Sequence, residues 1–362
     1  MPAVVLLVGV LAPHAGAHVG FGMAVDSQGR VVFLDSGASK VWRIEPDGRL
    51  TELARGIHGD NLAQDPAGSL FVQNFNQTMW RIAPDGAVTV VPMPANVAAG
   101  GEFGSLDELL AVDGEGNLYA RSGNEFYQRS PQVLRIGADG ATVALAGGAP
   151  GHADGPGAQA RFRHVRSAAW GPDGALYVAD GTSVRRVTRD GDVTTLVGPN
   201  PSVADDAPAA LENGPWLRTD EPNGFRRLLG IAVDPHGNVL VADPDNFRVC
   251  RISPGGRVST LRRTRFPWKP TGVTAAGDAV VVMEQTFVPM PLGMLDLFPR
   301  RRVVRIDQDG AVTLARLGGR GAWVAGALLA LAGLALWRLR ERRRRHGRGV
   351  ETRSAAPSAG PK

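Results

Sequence analysis

Short runs of alternating apolar and polar residues recur along most of this chain, separated by turns rich in Asp, Gly and Pro. The clearest copy occupies residues 229–261 and holds four such runs, LGIAVDPHGNVLVADPDNFRVCRISPGGRVSTL. Alternation with a period of two, interrupted by tight turns, predicts a four-stranded antiparallel sheet. Such a sheet cannot bury both faces by itself, so its copies are expected to pack against one another.

Two series of turn glycines count the copies. An Arg precedes a Gly by five residues six times: Arg43 and Gly48, Arg81 and Gly86, Arg135 and Gly140, Arg186 and Gly191, Arg251 and Gly256, Arg305 and Gly310. An earlier turn glycine precedes each pair, at Gly29, Gly68, Gly116, Gly174, Gly237 and Gly277. Six units of four strands predict an all-β fold, a six-bladed β-propeller of four-stranded antiparallel blades. An arginine repeated in every unit favours a structural role for that arginine.

The best copies include GIAVDPHGNVLVADPDNFRVCRI and the segment GHADGPGAQARFRHVRSAAWGPDGALYVADGTSVRRVTRDGDVTTLVG. They resemble the NHL-repeat family of β-propellers, which is related in shape to the gluconolactonase-like and strictosidine-synthase-like propellers. The resemblance covers residues 19–317 and implies a fold, whereas an activity has to be argued from a site.

The first 17 residues have the features of a signal peptide. Residues 3–12 are an apolar run, too short to span a bilayer, and the small residues 15–17 offer a cleavage site. Because no Lys or Arg precedes the run, either the initiator amine serves alone or the start is internal to a longer reading frame, and the segment is either cleaved or retained. The other interpretation is a first β-strand.

Residues 318–337 predict one C-terminal transmembrane α-helix. Residues 321–337 carry no charge, and as a helix they reach about 25 Å, a little under the ~30 Å apolar core of a bilayer. Arg320 and Arg338 flank the run, and Trp323 and Trp337 suit the membrane interfaces. A buried amphipathic helix is the alternative.

The basic, disordered tail of residues 338–362 places the C-terminus in the cytoplasm by the positive-inside rule. The predicted topology is a single-pass cell-membrane protein whose propeller, residues 18–317, is extracytoplasmic. The tail carries a charge of +7 and the whole chain +5, so the remainder is close to neutral and predicts no nucleic-acid partner. The single cysteine, Cys250, is expected to pack in a strand.

All long insertions fall in connections that belong to one face of the predicted ring, which is typical of a binding surface on a rigid scaffold. One edge of that face is apolar and basic, and we expect it to contact the membrane. The predicted contact residues are Trp268, Met294, Leu295, Leu297, Phe298, Arg300 and Arg301. An inserted helix that packs on blade 6 is the alternative.

Polar residues that precede the innermost strands predict a ligand site at the mouth of the central channel. The set is His58, Asp60, Asn61, Asp107, Glu108, His164, Arg166, Asn223 and Arg226. A solvated channel mouth explains the same residues.

The gluconolactonase-like resemblance implies a divalent metal at such a mouth, but its pattern is incomplete here. Leu229 stands where those enzymes tend to have Asp, His18 stands where they have Glu, and Asn223 lies too far ahead of Gly230. No cofactor is therefore predicted.

The sequence favours a membrane-anchored binding module for a protein, glycan or lipid ligand on the outer surface, with membrane lipid contacted through the C-terminal helix. The alternative is a metal-dependent hydrolase or lactonase that holds Ca²⁺ in the central channel.

Overall fold

A computed structural model describes residues 22–57, 59–74, 78–94, 97, 106–122, 131–199, 203–204, 224–286, 300–307 and 309–317. Residues 1–317 belong to one compact unit, and the described part of it is an all-β, six-bladed propeller. The predicted signal peptide, transmembrane helix and tail lie outside the described residues. Among the residues described, none forms a helix with the length and apolar character needed to cross a bilayer.

The first three blades follow one another along the chain. Blade 1 contains β1 (Met23–Val25), β2 (Val31–Asp35), β3 (Lys40–Ile44) and β4 (Leu50–Arg55). Blade 2 contains β5 (Ala63–Gln64), β6 (Leu70–Gln73), β7 (Met79–Ile82) and β8 (Val88–Val91). Blade 3 contains β9 (Leu106–Val112), β10 (Leu118–Ser122), β11 (Gln132–Ile136) and β12 (Thr142–Ala146).

The last three blades repeat the plan, and two of them carry an additional short strand. Blade 4 contains β13 (Gly155–Pro156), β14 (Val165–Trp170), β15 (Leu176–Asp180), β16 (Ser183–Val187) and β17 (Asp192–Val197). Blade 5 contains β18 (Val203–Ala204), β19 (Ile231–Val233), β20 (Val239–Asp243), β21 (Arg248–Ile252) and β22 (Val258–Arg263). Blade 6 contains β23 (Trp268–Ala276), β24 (Ala279–Thr286), β25 (Arg301–Asp307) and β26 (Gly310–Leu317). Two 3-10 turns occupy Gly157–Gln159 and Pro244–Asn246.

Within each blade the four main strands are antiparallel neighbours in sequence order. The extra strands add to the outer edges of blades 4 and 5, β13 antiparallel to β17 and β18 parallel to β22. Neither was predicted, because two residues are too few to show a strand period.

The six sheets confirm the predicted count of six blades. The twelve turn glycines all have positive φ angles, between 61° and 123°. Two separate reasons require glycine at position 191. Its φ is 89°, which favours glycine, and an added Cβ would lie 2.2 Å from the Leu145 carbonyl oxygen.

Aspartates close the turns between first and second strands. Asp113 is the most fully bonded: its carboxylate accepts the backbone N–H groups of Glu115 and Asn117, the Asn117 amide at 2.8 Å and the Tyr119 hydroxyl at 3.1 Å. Burial by itself raises the pKa of Asp113, but these hydrogen bonds outweigh it and hold the pKa below its usual value. Burial together with the Asp113 charge raises the pKa of Tyr119 to about 12.

Replacing Asp113 by Asn should reveal this carboxylate as a pH-dependent contribution to stability. Because its folded pKa is lowered, the contribution is present above the unfolded pKa of about 3.9 and is lost as pH falls through the folded pKa. In urea titrations we expect Asp113→Asn to be less stable than the wild type at neutral pH, with the gap closing in acid. Asp139→Asn, in an exposed turn where the carboxylate accepts one backbone N–H, is the control. A gap that stays constant with pH would contradict the assignment.

The repeated arginines hold third strands to neighbouring groups of the same blade. Arg186 donates two hydrogen bonds to Asp173, at 2.9 and 2.8 Å, and Arg81 donates to the Ser69 hydroxyl at 2.8 Å. Arg43 donates to Glu45 at 2.9 Å. For these three arginines the predicted structural role is confirmed.

Six apolar clusters in the described chain correspond to the six junctions between neighbouring blades. Cys250 lies in the cluster between blades 4 and 5, fully buried, as predicted. Burial raises the pKa of its thiol to about 12, so the sulfur is a packing group in the folded protein.

The ring closes between blades 6 and 1 without exchange of a strand, because each of these blades is built from consecutive strands. Side chains therefore make the closure. Met283 and Val303 pack with Phe33 in one apolar cluster, and Arg301 forms an ion pair with Asp35. Arg301 is only 5% exposed, and its Nε donates to Gln285 at 3.1 Å. Burial lowers the pKa of Arg301, and the Asp35 charge opposes that shift. This buried position does not suit the lipid contact that the sequence predicted for Arg301.

Candidate functional site on the loop-bearing face

The two faces of the ring differ in the length of their connections. The connections from first to second and from third to fourth strands hold two to five residues in every blade. The other two classes reach 14 residues between β24 and β25 and 33 residues between β17 and β19. We call the face with the long connections the loop face and the opposite one the turn face. Long connections on a rigid scaffold are the usual place for recognition.

The first strands of all six blades line a central cavity of about 240 Å³. Each blade contributes an alanine at the same register position, and these are Ala24, Ala63, Ala111, Ala169, Ala232 and Ala275. Small side chains suit the place where six strands converge. Of the described residues predicted to form the channel mouth, only Asn61 lines this cavity.

Asn61 is engaged in holding two blades together. Its amide Nδ2 donates to the carbonyl oxygens of Leu109 at 2.9 Å and Leu110 at 3.4 Å, in the first strand of blade 3. Its Oδ1 accepts the backbone N–H of Leu62 at 2.9 Å. The side-chain oxygen of Asn61 therefore already accepts one hydrogen bond from the protein backbone.

Glu108 and Arg121 are cross-strand neighbours in blade 3, and both are buried. Their charged groups approach within 3.6 Å, and Arg121 Nη1 donates to the Val165 carbonyl of blade 4 at 2.7 Å. Glu108 thus faces a buried cation that links blades 3 and 4.

The remaining described members of the predicted mouth lie in separate places. The backbone N–H of His164 donates to Asp180 at 2.6 Å, and that of Arg226 donates to Asp243 at 3.4 Å. Asp60 accepts the N–H of Gly22 with its carbonyl oxygen, and Arg166 is half-buried in β14. His58, Asn223 and the side chain of Asp107 lie outside the described residues.

These contacts do not fit the calcium site of the lactonase alternative. Asn61 is hydrogen-bonded to backbone groups, Glu108 forms an ion pair with Arg121, and the described residues contain no group of three His, Cys, Asp or Glu side chains placed to hold a metal ion. No step is therefore assigned to a metal.

Buried Asp–Arg pairs hold the connections that enter blades 4 and 5. Arg185, fully buried, binds Asp180 at 3.1 Å, Asp154 at 2.7 Å, the Arg161 carbonyl at 3.0 Å and the Ala153 carbonyl at 2.7 Å. In blade 5, Arg248 binds Asp243 at 3.0 Å and the Gly224 carbonyl at 3.0 Å. Burial raises the pKa of Asp243, and the Arg248 guanidinium opposes that rise. These buried pairs therefore hold two connections of the loop face in place.

A surface rich in cations occupies the loop face where blades 5 and 6 meet. We define this cationic edge by seven side chains: Arg226, Arg227, Arg262, Arg265, Lys269, Arg300 and Arg302. Two of them, Arg226 and Arg300, were predicted as site residues. Arg262 and Arg265 were missed, although the string RRTRFPWK at 262–269 holds four cations in eight residues and could have shown them.

Trp268, a predicted membrane contact, is half-buried within this edge. The guanidinium of Arg302 lies 4.2 Å from the centre of its ring, so one face of the indole is covered. Met294, Leu295, Leu297 and Phe298 lie outside the described residues.

Replacing Asn61 by Ala should destabilise the protein by about 1–3 kcal/mol, because the Leu109 and Leu110 carbonyls lose their side-chain donor. Urea unfolding followed by fluorescence measures the change, and Gln28→Ala in an exposed turn is the control. Unchanged stability combined with loss of a bound calcium ion from the purified protein would instead make Asn61 a metal ligand.

No family model matches the chain. Over 275 residues the chain is 31% identical to teneurin-m of Drosophila melanogaster, an alignment that covers 69% of this chain and 10% of teneurin-m. The chain thus spans about a tenth of the length of that relative.

Several solved structures share the fold. A luciferin-regenerating enzyme is similar with a TM-score of 0.51 and 16% identity, covering 77% of this chain and 88% of that one. A Bacteroides thetaiotaomicron protein of unknown function gives 0.52 and 18%, with 74% and 68% covered. A gluconolactonase from Xanthomonas campestris gives 0.50 and 15%, with 73% and 84% covered. At these identities the likeness shows the six-bladed propeller fold alone.

Proposed function

We propose that this protein is an NHL-type propeller that works as a binding module on the outer surface of a cell membrane, held there by residues 318–337 with the tail 338–362 in the cytoplasm. The observation that carries the proposal is the difference between the two faces: every connection on the turn face has two to five residues, and all longer ones emerge on the loop face. Recognition of a protein, glycan or lipid component would use that loop face.

The interior of the site supports binding better than catalysis. Asn61 and Arg121 donate hydrogen bonds to carbonyl groups of the next blade, and Glu108 forms an ion pair with Arg121 within blade 3. The likeness to a gluconolactonase extends to the fold alone, and the contacts of Asn61 and Glu108 do not favour a metal site at the channel mouth. The lactonase alternative is therefore not adopted.

Site-specific photo-crosslinking in cells that express the full chain tests the binding face. A crosslinking residue at exposed Arg226, on the loop face, should give discrete crosslinked products, and the same residue at exposed Arg189, on the turn face, should not. Products of equal yield from both positions, or from Arg189 alone, would refute a loop-face ligand.

Alkaline extraction of membranes tests the anchor. The full chain should remain in washed membranes, whereas a chain that ends at Leu317 should be released, because a spanning helix resists conditions that remove peripheral proteins. Release of the full chain would rule out residues 318–337 as an anchor.

A further inference from the structure

Among the described residues, the seven cations of the cationic edge outnumber the carboxylates that form ion pairs with them. The described carboxylates in these ion pairs are Asp245 and Glu284. Glu284 is fully buried and accepts from Arg262 at 2.7 Å and from Arg302 at 2.6 Å. Asp245 accepts from Lys269 at 2.9 Å and from Arg227 at 3.3 Å. Each of these two carboxylates is shared by two cations, so positive charge exceeds negative charge in the described part of this edge.

The cationic edge also holds an exposed aromatic side chain, Phe266. Arg226, Arg265 and Arg300 are all exposed, and Phe266, directly after Arg265, is 45% exposed. The turn that presents Phe266 is fixed, because the Trp268 backbone N–H donates to the Arg265 carbonyl at 2.8 Å. The backbone N–H of Arg300 donates to the Thr286 hydroxyl at 2.9 Å, and Thr286 is the cross-strand partner of Trp268.

The chain also leaves the propeller at this edge. Leu317, the last residue of β26, is the cross-strand partner of Arg301, between the two edge residues Arg300 and Arg302. The last described residue therefore lies beside the cationic edge, and the proposed membrane anchor, residues 318–337, follows it in the sequence.

We infer that the cationic edge docks the propeller on the anionic phosphate headgroups of the bilayer in which the chain is anchored. The inference rests on the proposed function for the anchor and deepens it by naming the lipid class. Cations match headgroup phosphates, and an apolar aromatic side chain among them matches the boundary between headgroups and acyl chains. A soluble polyanion would satisfy the charges but would give Phe266 no apolar partner.

Vesicle binding by a chain that ends at Leu317 tests the docking separately from the anchor. The described contacts that close blade 6 on blade 1 lie within the compact unit that ends at Leu317, so we expect this chain to fold. We expect it to bind vesicles of phosphatidylcholine mixed with phosphatidylglycerol much better than vesicles of phosphatidylcholine alone.

Two variants of equal charge give the comparison. Arg226→Gln, Arg265→Gln and Arg300→Gln together should weaken binding to the anionic vesicles about a hundredfold, at about fivefold for each exposed cation removed. Arg49→Gln, Arg189→Gln and Arg257→Gln together remove three exposed cations from the turn face and should change binding less than about threefold. The thermal transitions of both variants confirm their folding.

The remaining outcomes separate lipid from other anions. Phe266→Ser should weaken binding to anionic vesicles several-fold and leave binding to heparin, a soluble polyanion, unchanged. Equal losses in the two triple variants would reduce the effect to net charge and overturn the docking edge. Heparin binding that depends on the edge, without binding to anionic vesicles, would assign the edge to a glycan and overturn the lipid. Neither of these two outcomes bears on the membrane anchor, which is tested separately by alkaline extraction of the full chain.

Discussion

Replacing Asp35 by Ala is expected to lower the free energy of unfolding by about 3–5 kcal/mol, the range for a buried ion pair that loses one partner. The substitution leaves the Arg301 guanidinium buried at the junction of blades 6 and 1 without its carboxylate. No strand crosses this junction, so the loss falls on the contacts that close the ring. Urea or guanidinium unfolding of the wild type and the variant measures the difference.

Two further variants show whether the missing charge partner is the cause. Asp35→Ala combined with Arg301→Met should recover a good part of the loss, because no buried charge is left without a partner. Glu115→Ala removes an ion pair with Arg189 in which the side chains are 70% and 51% exposed, and should cost less than about 1 kcal/mol. If Asp35→Ala were as mild as Glu115→Ala, the ion pair would not be important for ring closure.

The sequence carried enough information to predict the blades. Twelve glycines at constant offsets mark the turns, and all twelve have the positive φ that favours glycine. Each strand also alternates between packing on the preceding and the following blade, which is the period-two pattern seen along the chain. Local rules sufficed because every blade is a contiguous segment of the chain.

The partners of the polar side chains could not be predicted in the same way. Asp35 and Arg301 are 266 positions apart and meet only when the ring closes. Asn61 and Glu108 stand at strand entrances, where a ligand site was expected, but their partners belong to the next strands and blades. A polar residue at a strand entrance looks the same in sequence whether it faces a ligand or a neighbouring blade.

At the cationic edge the basic pattern is local in the sequence, but the ion-pair partners of its arginines are not. The string at 262–269 is visibly basic, yet only the structure shows that Arg262 shares Glu284 with Arg302. The two arginines belong to β22 and β25, in different blades. The sequence shows that this string is rich in cations, whereas the fold determines which of those cations are exposed.

Arg185→Met is expected to be about as damaging as the loss of Asp35, again about 3–5 kcal/mol, because the Asp180 carboxylate stays buried without its cation. Its effect should also be local, since Arg185 binds Ala153, Asp154 and Arg161 in the connection that enters blade 4. We expect amide hydrogen exchange to accelerate most at Gly151, Ala153 and Arg161, whose N–H groups form the hydrogen bonds of that connection.

The equivalent arginine of blade 5 provides the matched comparison for this local effect. Arg248→Met removes the bonds to Asp243 and Gly224 and should leave exchange in the blade 4 connection at the wild-type rate under native conditions. Combining Asp180→Asn with Arg185→Met should restore part of the stability, because an amide oxygen at position 180 still accepts the backbone N–H groups of Arg163 and His164. If Arg185→Met and Arg248→Met accelerated exchange equally in blade 4, each Asp–Arg pair would stabilise the whole ring. The inference that each pair stabilises only the connection entering its own blade would then be wrong.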